Sequence, residues 1–499
     1  MLNTGRVSVS GLPGEKQDCG SVSTEDGSTA LNCYLLKPHQ KVGLTLRGGG
    51  QTEVLFDSRR MSAVGCLLSF FHQIFISVLN IVDAMSGSKD DPVSSLSELA
   101  VPFPTAGKLT AMDFSDRFRS QLDDATIIGL GEASHGTQEF FELRFRLTRL
   151  LVEEFGVRAV GIEAGFDPLC RVAELVDAGE GDIRPLLAES DIYRPWKTEP
   201  MVNLFEWLQS FNASRPPEDR VHVYGFDMTI IEQAAAGLAS YLERVDADID
   251  ASLREDLDTI MAGYSSGDER QTLLESARRV HSTLRPMLDA NESAWVEADS
   301  RRAYENIRYR LHLIDRQLEA HERSHEGRMA LRDETMAENV EWIRGRSTGP
   351  IVLWAANGHL NRGRHILEEW DVDVQSMGEW LARSHGEGYC PIGFGLGSGE
   401  VAALDGETEE ILEYPIPDPP SESIPDVLRQ VDESPFYLRV DNLHNDSSIQ
   451  EWLRTQPRRH EIWGGHPDGD NPVQYLQSDL SEFDWFFFVR ETSPLDHLE

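Results

Sequence analysis

Glu132 and His135 stand three residues apart in a loop bracketed by Gly131 and Gly136. A histidine takes up protons close to neutral pH, and a neighbouring carboxylate fixes which ring nitrogen carries the hydrogen. The pair therefore suits general-base chemistry. Glu163, Asp227, Asn357 and His359 complete the set of interest, because each closes or closely follows a short apolar run. Arg144 lies nine residues beyond His135, in the second turn of a helical pattern. From there it reaches the same region to balance an anionic intermediate, or it pairs with Glu132 or Glu163.

Four apolar runs must position these residues. Ala125–Gly131, Val157–Glu163, Val221–Phe226 and Ile351–Ala355 are short and continuous, the pattern of strands buried on both faces. Between the first two, Phe140, Leu143, Leu147, Leu150 and Leu151 recur at helical spacing, with Thr137 and Glu139 at the helix start and Gly156 at its end. This is a βαβ unit, and its strands are expected to run parallel with a right-handed crossover. In an open parallel sheet, ligands bind at the carboxyl ends of the strands, where successive loops converge. Four independent placements on one rim thus predict a site.

The remaining chain sorts by composition. Of 499 residues, 85 are acidic and 46 basic, a net charge of −39. That balance argues against a nucleic-acid partner, since phosphate binding needs clustered Lys and Arg. Lysine occurs only at positions 16, 37, 41, 89, 108 and 197. An acidic surface almost free of lysine suits a high-salt cytoplasm, where salt screens the mutual repulsion. Five cysteines are too few for a disulfide framework, and Cys170 and Cys390 read as buried apolar residues. A cytoplasmic protein is expected. Charges balance within residues 1–84, so the whole excess lies beyond them. Residues 1–84 are expected to be a disordered or non-native extension, with no signal peptide and with one marginal membrane-span candidate at 61–82. Residues 85–112 read as a lead-in, 113–231 as the first part of the α/β core, 232–347 as an inserted helical subdomain and 348–499 as the second part of the core. In the helical region Tyr304, Ile307, Leu311, Ile314 and Leu318 follow the spacing of a packed helix seam. The glycine-rich stretch 393–399 does not match a phosphate-binding loop and reads as strand and turn.

The segment Gly129–Phe140, which contains Gly-Glu-Ala-Ser-His-Gly-Thr, resembles the erythromycin esterase family, together with Gly161-Ile162-Glu163-Ala164. That family includes succinoglycan-biosynthesis-like homologues. Trp196–Glu199, Tyr224–Met228, Arg332–Asn339, Trp354–His359 and Met377–Leu381 are similar in the same order. The resemblance implies a mostly parallel α/β core with a helical subdomain walling a deep cleft. It also implies metal-independent hydrolysis of a macrolactone ester, the chemistry of macrolide resistance. By that analogy His135 matches a water-activating base, Glu132 and Glu163 match active-site carboxylates, and Arg144 and His359 match an active-site arginine and histidine. Trp196, Glu199, Asp227 and Asn357 become candidates for substrate contact. One position departs from the pattern: the family commonly reads His-Asn-x-His where this chain has Ala356-Asn357-Gly358-His359.

The expected mechanism is water attack on an ester or lactone carbonyl, with His135 as the base and Glu132 or Glu163 orienting it. Arg144, His359 and the helix start near Gln138 would balance the oxyanion. Ser134 lacks the Gly-x-Ser-x-Gly elbow of a serine nucleophile. Two alternatives differ in kind. One is a metal-dependent hydrolase with Zn²⁺ or Mn²⁺ on His135, His359, Glu132 and Glu163. The other is a non-catalytic binding protein of the same fold. The only partner expected is a small ester or lactone; oligomeric state is not legible.

Overall fold

The computed structural model describes residues 92–498 apart from 106, 229, 368–371, 406–409, 463–464 and 467–472, together with four strands between residues 16 and 57. Residues 1–89 and 90–499 form separate units. In the first, Lys16–Ser23, Ala30–Leu36, Lys41–Gly48 and Gly50–Asp57 pair antiparallel in sequence order. A sheet therefore stands within the stretch expected to be a disordered or non-native extension. That expectation rests on charge, whereas Val42, Leu44 and Leu46 alternate with Gly43, Thr45 and Arg47 at the period of a strand. The apolar stretch 61–82 lies outside the described residues. Among the described residues, no helix is long and apolar enough to cross a membrane.

The second unit is built on one sheet. The main path of its ten strands is β1 (Val101–Pro102), β2 (Ile127–Leu130), β3 (Ala159–Gly165), β4 (His222–Asp227), β5 (Ile351–Trp354), β6 (Tyr389–Asp405), β7 (Phe436–Arg439) and β8 (Trp485–Thr492), with Ile411–Pro415 and Gly465–His466 paired to β6 off that path. They lie in the order β1-β7-β8-β6-β2-β5-β3-β4. The six strands from β8 to β4 are parallel, and β7 and β1 close the edge antiparallel. The four strands expected from sequence are all present. β2 and β3 are parallel as expected, but β5 inserts between them, so the last of the four to be made is a central strand. The pairings Leu130↔Trp354, Trp354↔Ile162 and Ile162↔Gly225 put four strand ends level. Glu132, Ala356, Glu163 and Asp227 consequently share one rim.

Helices cover both faces, which explains the continuous apolar strands. Helices α1 (Gln138–Glu154), α2 (Phe166–Ala178) and α3 (Glu199–Asn212) pack with Ile128, Leu130, Val160, Ile162, Val352 and Trp354 in one core. Helices α4 (Ile231–Arg244), α5 (Ala251–Met261), α6 (Gly267–Ala298), α7 (Arg301–His321) and α8 (His325–Arg344) follow β4. Tyr304, Ile307, Leu311, Ile314 and Leu318 are buried in a cluster that α4 to α7 share, as the seam pattern predicts. Helix α8 departs from them. Its Met336, Val340 and Ile343 pack on Ile127, Ile351 and Leu353, on the second face of the sheet. The helical insertion is thus a four-helix body, and α8 belongs to the core layer.

The glycines of β6 are strand residues, placed to make room for rings. A Cβ at Gly393 would stand 2.8 Å from Phe486, and one at Gly395 would stand 2.7 Å from it. Phe486 is one of the aromatic residues of β8, the strand that pairs with this half of β6.

Candidate active site

His135 sits in the β2–α1 loop, and its Nδ1–H donates to Glu132 Oε1 at 2.7 Å. That bond leaves Nε2 as the nitrogen free to accept a proton. The other Glu132 oxygen meets the guanidinium of Arg144. Glu132 and Arg144 are both fully buried, and the loop carboxylate has one partner at each oxygen. The Arg144 guanidinium lies 4.5 Å from the ring centroids of Phe141 and Trp354, and Trp196 adds a third ring at 5.7 Å. Of the two roles expected for Arg144, the structure shows the pairing with Glu132, and the side chain is removed from solvent. Arg144 holds Glu132, and Glu132 holds His135.

His135 is bounded by aromatic rings, Trp196 at 5.7 Å and Tyr193 at 6.5 Å between centroids. Burial disfavours the charged ring, but Glu132, by charge and hydrogen bond, and Glu163, by charge, outweigh it and raise the pKa above 6.5. Tyr193 is half-exposed, and its hydroxyl feels the charges of Glu163 and Arg332. It therefore stands between the His135 end of the site and the Glu163 end. The sequence reading missed it, since a lone tyrosine before a turn carries no local signal.

The second half of the site is a charge array. Glu163 Oε2 accepts from the Ala356 backbone N–H at 2.8 Å, and Oε1 lies 3.0 Å from an Arg332 nitrogen and 3.3 Å from His359 Nε2. Arg332 also forms a two-pronged pair with Asp227, at 2.8 Å through each oxygen. Burial alone would raise the Glu163 carboxyl, yet His359, His135 and Arg332 hold it well below the usual range. Behind His359, Asp333 accepts from Nδ1 of both His359 and His365, the latter at 3.0 Å. The two imidazoles meet edge to face with centroids 4.5 Å apart. Burial works against a charged His359, but Asp333 and Glu163 outweigh it and push its pKa up to about 9. His365, buried and next to that cation, is pushed below 6.5. The neutral His359 ring accepts from Arg332 at 2.8 Å, and the imidazolium donates Nε2–H to Glu163.

Arg332, Asp333 and His365 were not expected as site residues, although Arg332 and Asp333 open one of the family-like stretches. Their signal is the buried polar set Asp333, Thr335 and Asn339 on a helix that packs against a sheet. His365 comes from the hairpin strand Arg364–Leu367 and lies over Gly358. A second histidine thus approaches His359 from elsewhere, while position 356 contributes a backbone N–H.

Two expected substrate contacts have other duties. Glu199 opens α3 on the protein surface, where it pairs with Arg184 at both oxygens. It is the acidic first-turn residue that a helix favours. Asn357 is buried, its amide donating to Phe394 O at 2.7 Å and accepting from Phe394 N–H at 3.1 Å. It stitches the end of β5 to β6. Asn357→Ala is therefore expected to destabilise the protein in urea by about 1–3 kcal/mol for each Phe394 group left unpaired. Trp196 and Asp227 do join the site, as a wall beside His135 and as the clamp on Arg332.

The metal set weighed from sequence is divided, His135 bonding Glu132 while His359 bonds Asp333. Among the described residues, the His, Cys, Asp and Glu group whose ligand atoms lie close enough for one ion is Asp333, His359 and His365. His365 Nδ1 and Asp333 Oδ2 are 3.0 Å apart, a hydrogen-bond length. With the Arg332 guanidinium against His359, the trio forms a hydrogen-bonded array.

Comparison with known proteins agrees with this architecture. A putative hydrolase of Bacillus subtilis, YbfO, is 24% identical over 367 residues, 69% of this chain and 80% of its own length. Erythromycin esterase type II of Escherichia coli is 22% identical over 320 residues, covering 58% of this chain and 74% of its own. A Bacillus cereus crystal structure superposes with a TM-score of 0.68 at 19% identity, covering 83% of this chain and all of that one. A succinoglycan biosynthesis protein gives 0.67 at 20% identity, over 82% and 99%. An erythromycin esterase mutant in its open conformation gives 0.56 at 17%, over 76% and 93%. These structural likenesses establish the fold. The erythromycin esterase family pattern matches residues 152–492, a span that holds Glu163, Asp227, Arg332, Asp333 and His359 and begins after Glu132, His135 and Arg144. The match takes in well over half of the chain, which therefore belongs to the erythromycin esterase family of hydrolases.

Proposed function

We propose that this hydrolase cleaves an ester or lactone with water activated by His135. The observation that carries the reading is the chain Arg144–Glu132–His135, buried at its base and ending on an imidazole with one nitrogen committed and the other available. Water held at Nε2 gives up its proton as the carbon–oxygen bond forms; the tetrahedral intermediate then collapses, the ester carbon–oxygen bond breaks, and the His135 imidazolium returns the proton to the departing alkoxide. Glu132 keeps the ring in the right tautomer and stabilises the imidazolium that results. The imidazolium of His359 and the Arg332 guanidinium, tied together through Glu163, offset the negative charge that develops on the carbonyl oxygen. Tyr193 and Trp196 supply an aromatic wall for the apolar part of the ester.

The test is a panel of aryl esters, alkyl esters and lactones, macrolides included, followed by acid release at low and at molar salt. The salt arms are included because of the acidic, lysine-poor composition. Acid release from at least one member is expected, unchanged by chelators. No turnover across the panel, or activity lost to a chelator and regained with zinc, would overturn the proposal.

A further inference from the structure

The last residues of the chain form a strap across the site. Leu495 N–H donates to Gly136 O, the carbonyl next to His135, and Thr137 bridges antiparallel to Pro494. Helix α1 begins at Gln138, where the Thr137 side chain makes no capping bond. The Gln138 N–H, one of the donors a helix start leaves without a partner, goes to Ser493 O. Ser493 in turn donates through N and Oγ to Glu139, at 2.9 and 2.7 Å. The strap then crosses to α3. Asp496 O accepts the Glu199 N–H at the start of that helix, Leu498 N–H donates to Lys197 O, and Thr198 bridges to His497. Leu495 is buried between these contacts, in the core that also holds Trp196.

These two attachment points are the two that matter for His135. One is the loop carrying the imidazole; the other is the loop carrying Trp196, the ring packed beside it. Gly136 has no freedom to compensate, since a Cβ there would stand 1.6 Å from Ala402 O, and the Gly136 carbonyl already accepts from Ala402 N–H. We propose that the strap, residues 493–498, is a positioning element for the reaction: it sets the His135 loop against the Trp196 loop and so fixes the approach of the activated water. This rests on the reading of His135 as the base. The family pattern ends at residue 492, so the strap lies beyond what it matches.

The experiment compares the full chain, a chain stopped after Thr492, and the full-length variant Leu495→Pro, which lacks the N–H that Gly136 O accepts. Misplacing a reacting group by about 1 Å costs up to about 10²-fold. A fall in kcat of that order is therefore expected for both variants, with KM little changed. Adding a synthetic peptide of residues 493–498 to the shortened chain should restore kcat saturably. Should the shortened chain fail to fold, Leu495→Pro decides. Wild-type kcat in a folded variant, or peptide binding without recovery, overturns the proposal. A readout independent of turnover comes from ¹⁵N-labelled imidazoles followed by NMR. Loss of the strap should move the His135 signals and bring their titration midpoint down towards 6.5 as the Glu132 contact loosens. Unchanged His135 signals in both variants overturn the strap proposal even if the panel of esters reveals no substrate. Failure of the panel alone overturns only the function.

Discussion

Replacing His135 with alanine is expected to lower kcat by about 10²–10⁴-fold, the contribution of a positioned general base, while KM changes little. The ring acts on water in the transition state, so its loss removes transition-state stabilisation more than ground-state binding. The pH dependence gives the sharper test. Only neutral His135 accepts a proton, and its pKa lies above 6.5 because Glu132 and Glu163 favour the charged ring against the cost of burial. The ascending limb of kcat/KM should therefore have its midpoint above 6.5, and His135→Ala should abolish it. His359 titrates at about 9, held up by Asp333 and Glu163. A descending limb near that pH is expected where the cation facing Glu163 is lost, and it should survive in His135→Ala. The stability term has the same sign: a folded pKa above the unfolded one stabilises the protein fully below pH 6.5, and the benefit disappears as pH rises through about 9. A His135→Ala protein with wild-type turnover, or with an unchanged ascending limb, would remove His135 from the mechanism.

What the sequence made legible was the rim. Strand ends are marked by the loss of apolar residues, and a parallel sheet stacks those ends. Placing Glu132, Glu163, Asp227 and His359 on one edge therefore needed no side-chain geometry. What it hid was everything that reaches the site sideways. Arg332 and Asp333 come from a helix whose exposed and buried faces are both polar in places, so no apolar stripe announces which way it turns. His365 arrives on a hairpin, and Ser493–Leu498 follow a strand that ends on the same rim but carries no site residue of its own. In each case a long-range contact, with no local spacing, creates the role. The same cause hides the contacts that Glu199 and Asn357 make within the fold. A family-like stretch includes residues that cap a helix or stitch two strands, and spacing cannot separate those duties from contact with substrate. Arg144 shows the third kind of gap. Helical periodicity placed it near Glu132, but only burial decides whether a guanidinium faces solvent or the core.

That burial makes Arg144→Met the substitution with the largest expected effect on stability. Glu132 and Arg144 are both removed from water, and the guanidinium is enclosed by Phe141, Trp196 and Trp354. Methionine matches much of the arginine stem in volume and suits an aromatic box, so the packing loss is modest. The charge loss is not. Glu132 would keep only His135 as a partner, and an uncompensated buried carboxylate costs about 3–5 kcal/mol. Unfolding by urea should show a deficit of that size. The explanation predicts its own cure: adding Glu132→Gln to Arg144→Met removes the stranded charge, so the double variant should be more stable than Arg144→Met alone. It should nevertheless be inactive, because a glutamine in place of Glu132 neither enforces the tautomer nor stabilises the imidazolium. Arg144→Lys separates shape from charge. A lysine ammonium keeps the sign but cannot lie flat between Phe141 and Trp354, and an intermediate deficit is expected. If the double variant were no more stable than the single one, the arginine would be stabilising the fold through its rings alone. The line of support from Arg144 through Glu132 to His135 would then be a packing contact with no electrostatic purpose.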